Sequence, residues 1–270
     1  MPCSWLPSVT CRYWRSNDNF DNTILMKKKK KSHKIDAFNL MPHSLLAGKY
    51  VVREQLGSGW EGEVYLVNEK AAKIERTAKL FFPQRNVRDK TSKFYARKLH
   101  KLRHCPIVIQ YHTQDTFLHD GIPIRFLVSE FVQGERLSSF VSQQRGKRLH
   151  PFQALHLLHA LTSGIECIHK MGDYHGDLHN DNIIVQHHGL GFQLKLIDMF
   201  HWGPPTAENR VQDLLDLILL FYEVLGGRKH YAKLPKEIKA ICCGLKRTLI
   251  LKKFKTTAKL RIYLENLQWH

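Results

Sequence analysis

The chain has 270 residues, 43% of them apolar or aromatic, and Lys and Arg outnumber Asp and Glu by 42 to 24, for a formal net charge of +18. That length and apolar share suffice for a two-lobed domain with a substantial core. No apolar run reaches the roughly 18 residues of a membrane span, and the six cysteines form neither a CxxC pair nor a zinc-finger spacing with histidine. A helical membrane protein and a zinc ribbon are thereby excluded, and with no secretory leader pattern a cytoplasmic chain with reduced thiols is expected.

In chain order, residues 1–44 carry no sustained period and include the run Lys27 to Lys31, so a flexible basic extension is expected there. Residues 45–132 read as a smaller lobe. Tyr50-Val51-Val52, Val64 to Val67 and Thr77 to Phe82 are strand-like, Lys93 to Arg103 is a basic helix, and Ile107 to Tyr111 and Ile122 to Phe131 are further strands. Residues 133–270 read as a larger, mostly helical lobe. Leu137 to Gln144 suits a short helix, and Phe152 to Met171 places Leu155, Leu158, Leu161, Ile165 and Ile168 at helical spacing. Asp213 to Gly226 reads as a buried helix, and Pro235 to Leu251 and Thr256 to Leu267 as two amphipathic ones. The fold class expected is α+β, a small antiparallel sheet with one helix beside a larger helical lobe. His156, His159 and His169 have no carboxylate or cysteine completing a metal set and are expected to be packing or surface groups.

The basic runs, Lys27 to Lys31, Lys90 through Arg103 and Lys246 through Lys259, permit a nucleic-acid partner on charge alone. No RNP, zinc-finger or KH signature accompanies them and the aromatics are not interleaved as stacking platforms, so a solvated basic surface is expected.

Between the first two strands lies Leu56-Gly57-Ser58-Gly59-Trp60-Glu61-Gly62-Glu63-Val64, a G-x-G-x-x-G-x-V pattern. Glycines let such a hairpin approach phosphates without Cβ interference and offer backbone N–H groups. It opens into a strand and not a helix, unlike a dinucleotide fingerprint. Lys79 on the third strand is the candidate phosphate-binding ammonium; Lys73 follows Gly62 too closely and is expected to be an exposed loop charge. After the long helix, His175-Gly176-Asp177-Leu178-His179-Asn180-Asp181-Asn182 places a carboxylate and a carboxamide five positions apart, and Asp198 ends the later run Leu194 to Ile197. Phosphoryl transfer from a nucleotide needs a carboxylate to orient or receive a hydroxyl proton, and oxygen ligands holding Mg²⁺ against the phosphates.

In this order the motifs resemble the protein-kinase-like superfamily from about Tyr50 onward, in particular a compact bacterial-type serine/threonine protein kinase. The resemblance implies a two-lobed kinase-like fold with ATP between the lobes, beneath Leu56, Gly57, Ser58, Gly59, Gly62 and Val64. It implies Lys79 on the α/β-phosphates, Asp177 as catalytic base, and Asn182 and Asp198 as Mg²⁺ ligands, with Lys79 and Asn182 completing the catalytic set. The backbone of Glu130 to Val132, next to a gatekeeper Ser129, would meet the adenine, and Asp213 would tie down the catalytic loop.

The departures bear on mechanism. Tyr95 stands where protein kinases carry the helix acid that pairs with the lysine, and from Arg85 to His104 the one carboxylate is Asp89. Lys79 is then oriented by Asp198 and the phosphates, or the resting site is poorly organised, or nucleotide binds without turnover. Asp198-Met199-Phe200 lacks the glycine of D-F-G, and no Ala-Pro-Glu lies between Asp198 and Asp213, so control by activation-loop phosphorylation is not expected. His-Gly-Asp-Leu-His is similar to the catalytic loop of aminoglycoside and choline phosphotransferases. The reading is an ATP- and Mg²⁺-dependent serine/threonine protein kinase. Its alternatives are a small-molecule kinase of that second type and a nucleotide-binding pseudokinase or interaction module.

Overall fold

The computed structural model describes residues 34–189, 191–200 and 203–268. Its smaller lobe is a six-stranded antiparallel sheet built from β1 (Leu45–Leu46), β2 (Tyr50–Ser58), β3 (Gly62–Glu69), β4 (Glu75–Phe81), β5 (Tyr111–His119) and β6 (Ile122–Glu130), in the order β1-β2-β3-β4-β6-β5. The helix α1 (Lys90–Lys101) enters between β4 and β5. Strand alternation sorts β4. Ala78 and Leu80 join Val52, Tyr65, Val67 and Phe126 in one buried cluster, while Phe81, on the face of Lys79, packs with Tyr95 and Leu99 of α1 in the other.

The first cluster is covered by residues 35–40. Phe38, 3% exposed, stacks on Phe82 at 5.2 Å between ring centroids, and its N–H donates to Glu63 Oε1 at 3.2 Å. Leu40 N donates to the Tyr65 hydroxyl at 3.3 Å. Packing on this lobe begins by Ile35, ahead of the expected boundary at residue 44; a single Phe among polar residues gives no periodic signal. The Lys27 to Lys31 run, Cys3 and Cys11 lie outside the described residues. A correction concerns the strand expected at Ile107 to Tyr111. The strand proper is β5, YHTQDTFLH, a mostly half-exposed sheet edge with a weak apolar signature. Ile107 and Val108 are instead buried with the larger lobe, where Leu196 N donates to Ile107 O at 2.7 Å.

The larger lobe begins with β7 (Glu135–Arg136), α2 (Leu137–Gln143) and the long α3 (Pro151–Lys170). His150 and Gln153 cap α3 reciprocally, with Pro151 in its first turn. A loop and a tight turn at Asn180–Asn182 lead to β8 (Ile183–His188), which lies between β7 and β9 (Gly191–Leu196). Then come α4 (Ala207–Val224), α5 (Gly227–Tyr231), α6 (Lys236–Cys242), α7 (Arg247–Lys253) and α8 (Thr257–Glu265). Leu157, Leu161 and Ile165 of α3 pack with Leu217, Ile218 and Phe221 of α4 in the core. The single helix expected over Pro235 to Leu251 is two, because Cys243 and Gly244 adopt left-handed φ of 49° and 60° between them. No helix among the described residues is long and apolar enough to cross a membrane.

Candidate active site

A cavity of about 400 Å³ separates the lobes. Of the residues expected at the site, Leu56, Val64, Lys79, Glu130, Val132 and Asp198 line it, together with Ser129, Leu127, Ile184 and Leu196, whereas Gly57, Ser58, Gly59, Gly62, Asp177 and Asn182 are not among its lining residues. Apolar walls with a few polar groups suit a planar heterocycle. At the hinge, Glu130 N donates to Gln110 O at 2.9 Å, which commits that N–H, and the Glu130 carbonyl accepts a long bond from Ser129 Oγ at 3.5 Å. Gly57 and Ser58 end β2, Gly62 opens β3, and Gly59 lies in the turn between them. Gly62 is glycine for a reason beyond phosphate access: a Cβ there would lie 1.8 Å from Leu80 O on the neighbouring strand. At Gly59 the space is open. Lys73 is exposed, as expected.

Strand register places Lys79 opposite Val64 on one side and Leu127 on the other. Its ammonium lies 2.7 Å from Asp198 Oδ1, 3.0 Å from Glu61 Oε2 and 3.0 Å from the Tyr95 hydroxyl, and 4.1 Å from the centre of the Tyr95 ring. Burial pulls the ammonium down, but Asp198, Tyr95 and Glu61 outweigh it and hold its pKa well above the ordinary lysine value. The nearby Lys79 charge in turn holds the Asp198 carboxyl below its usual range, against burial. Asp198 has a φ of 52°, a left-handed conformation that Asp tolerates better than most residues and that is common at functional sites.

The catalytic loop is fixed from beneath. Asp213 on α4 is fully buried and accepts from His175 N at 2.8 Å and Gly176 N at 2.9 Å, with His169 Nε2 3.0 Å from its Oδ2. Gly176 has a φ of 88°, and a Cβ there would come within 2.8 Å of the Tyr174 ring. Burial holds the His175 imidazole neutral, with its pKa lowered to about 4. On the turn so shaped, Asn182 Nδ2 donates to Asp177 O at 2.9 Å and to Asp177 Oδ2 at 3.0 Å. Ile197 N donates to Asn182 O at 3.0 Å, which ties this pair to the residue before Asp198. Burial pushes the Asp177 carboxyl up, but His179 (Nε2 3.6 Å from Oδ2), His175 and Asn182 together bring it below the ordinary aspartate value.

Two groups at this site escape sequence reasoning. Glu61 falls on an unspecified position of the glycine pattern and carries no signal, and the Tyr95 hydroxyl is visible in the sequence only as the absence of an acid. α1 is moored by other means. Lys98 donates to Phe200 O at 3.0 Å and lies 3.6 Å from Asp173, to which Lys101 also donates at 2.9 Å.

Comparison with known proteins agrees with this geometry. The protein kinase domain model matches residues 50–203, more than half of the chain. The chain belongs to the protein kinase family. Serine/threonine-protein kinase Nek11 of Homo sapiens is 27% identical over 168 residues, 57% of this chain and 24% of that protein. Probable serine/threonine-protein kinase YbdM of Bacillus subtilis (strain 168) is 26% identical over 241 residues, 80% of this chain and 88% of that one. The chain spans about a quarter of the length of Nek11 and its macaque and mouse counterparts. Among solved structures, the kinase domain of Mycobacterium tuberculosis PknI superposes with a TM-score of 0.60 at 18% identity, covering 84% of this chain and 98% of that domain, a likeness of fold. Protein kinases as a family use ATP with Mg²⁺.

Proposed function

We propose that this protein kinase domain transfers the γ-phosphoryl group of ATP to a Ser or Thr hydroxyl of a protein in a Mg²⁺-dependent reaction. The observation that supports it most is the meeting of Lys79 and Asp198 at 2.7 Å on the wall of a cavity between the lobes, with the Asp177–Asn182 pair hydrogen-bonded beside it. The hinge backbone of Glu130 and Val132 holds the adenine between the apolar walls. Asn182 commits its Nδ2 to Asp177, so its carboxamide oxygen is the atom offered to a cation, and the Asp198 carboxylate is the second hard oxygen donor, a set that fits Mg²⁺. When bound, Mg²⁺ supplies charge neutralisation at the phosphates. Lys79 aligns the α/β-phosphates. Asp177, ionised at neutral pH, accepts the hydrogen bond of the acceptor hydroxyl and orients its oxygen toward the phosphorus.

The names of the curated relatives support a Ser/Thr acceptor. The aminoglycoside or choline kinase reading rests on His175 to His179 and on the short segment after Asp198, and is not favoured by the family match. Incubation with γ-labelled ATP and Mg²⁺, against a panel of basic and acidic proteins and a panel of amino alcohols, sugars and aminoglycosides, tests the acceptor class. Label on phosphoserine or phosphothreonine is expected. Label confined to the small molecules would overturn the protein acceptor, and tight ATP binding with no transfer under Mg²⁺ or Mn²⁺ would favour a scaffold.

A further inference from the structure

α1, KTSKFYARKLHK, contains no carboxyl group, yet the Lys79 ammonium beside it is fully satisfied. It has three protons and, among the described residues, three oxygen partners: Asp198, Glu61 and Tyr95. α1 supplies only a neutral phenol, since burial pushes the Tyr95 hydroxyl far above its ordinary pKa. Asp198 is assigned to the cation in the reading above. Glu61 is the carboxylate that remains, and it belongs to the loop over the cavity. The loop tip is held down by its own contacts: Phe82 N donates to Glu61 O at 2.9 Å, Gly59 N donates to Gly62 O at 2.9 Å, and the Arg85 guanidinium sits 3.8 Å from the Trp60 ring centre. The Lys79 and Glu61 side chains are 15% and 18% exposed, so little water competes for the pair. A lysine this enclosed needs an anion that stays when Asp198 turns to another partner, because an unpaired buried charge is costly.

We propose that Glu61 is the positioning carboxylate of Lys79, supplied by the nucleotide-covering loop in place of an acid on α1, so that closing the loop and aiming the ammonium at the phosphates are one event. This rests on the reading of the cavity as an ATP site. The helix-borne acid whose absence marks the sequence is thereby replaced from the opposite wall. α1 is relieved of that duty and is tied instead through Lys98 and Lys101 to Asp173.

Hydrogen exchange on the nucleotide-free protein tests the pair without reference to turnover. Glu61→Gln and Lys79→Met are each expected to speed amide exchange in residues 57–62 by about tenfold, and the double variant no further, because both remove the same contact. Calorimetric ATP titration gives the second arm: Glu61→Gln weakens binding by about tenfold in the parent and has no effect in the Lys79→Met background. Loop exchange unchanged by Glu61→Gln, or equal affinity losses in both backgrounds, overturns the proposal. So does tighter ATP binding by Glu61→Gln, the mark of a side chain that blocks the phosphate position. A parent that shows the exchange coupling but binds no ATP contradicts the nucleotide reading alone and leaves the Glu61–Lys79 pair standing.

Discussion

The ionised state of Asp177 depends on its neighbours more than on exposure. Its carboxyl is pushed up by burial and brought below the ordinary value by the His179 hydrogen bond and charge, then by His175 and Asn182. Its partner His179 is raised above 6.5, chiefly by the same hydrogen bond, so the cation is present below that value and is lost as pH rises through the raised pKa. Removing the cation raises the pKa of Asp177 and moves the acid limb of kcat/KM to higher pH. His179→Ala is therefore expected to lose its activity at a higher pH than the parent as the medium is acidified, read from initial rates; matching profiles would show that His179 does not tune the base. Asp216 on α4 is the converse case. Burial raises its carboxyl to about 6. A folded pKa above the unfolded value means that the folded state holds the proton more tightly, so stability falls as pH rises from about 4 to about 6. Asp216→Asn should melt higher than the parent at pH 8 and equally at pH 3.5 by scanning calorimetry, and an equal Tm at both pH values would contradict this. At this scale the sequence reveals residues that belong to fixed spacings, Lys79, Asp177, Asn182 and Asp198. Glu61 is silent because its role depends on where a loop folds over a strand.

At the scale of elements, periodicity finds what is long and one-sided. α3 is visible from its apolar stripe, and the strands β2 to β4 from the runs on either side of the glycine loop. β5 is missed because an edge strand with Gln114, Asp115 and Thr116 half-buried offers little alternation, while the apolar residues Ile107 to Ile109 that precede it pack into the core of the larger lobe. The same packing accounts for Gly164 in the middle of α3, which propensity alone disfavours. A Cβ there would come 2.2 Å from Ile107 Cδ1 and 2.9 Å from Ile107 Cβ. Ala gains about 1 kcal/mol of helix propensity, but overpacking costs about 1–3 kcal/mol. Gly164→Ala should lower the urea midpoint, and a higher midpoint would mean that Ile107 moves aside freely.

At the scale of the molecule, the two-lobed architecture is apparent in the sequence because the motifs occur in one order, strand pair, lysine strand, hinge, long helix, catalytic loop and anchoring helix. The cover formed by Ile35 to Leu40 over the smaller lobe is not, since it rests on Phe38 and a few backbone hydrogen bonds to Glu63 and Tyr65. Nor is the mooring of α1, where buried Lys98 reaches the Phe200 carbonyl across the cleft. Lys79 and Asp198 meet on the cavity wall, and the Asp177–Asn182 pair is tied to them through Ile197; the proposed chemistry stands on that arrangement. The most direct measurement is transfer of γ-labelled phosphate by the parent and by Asp177→Asn, with ATP affinity measured on both. The account predicts a rate about 10²–10⁴-fold lower for Asp177→Asn with ATP affinity within a few-fold of the parent; transfer by Asp177→Asn at the parent rate would contradict it.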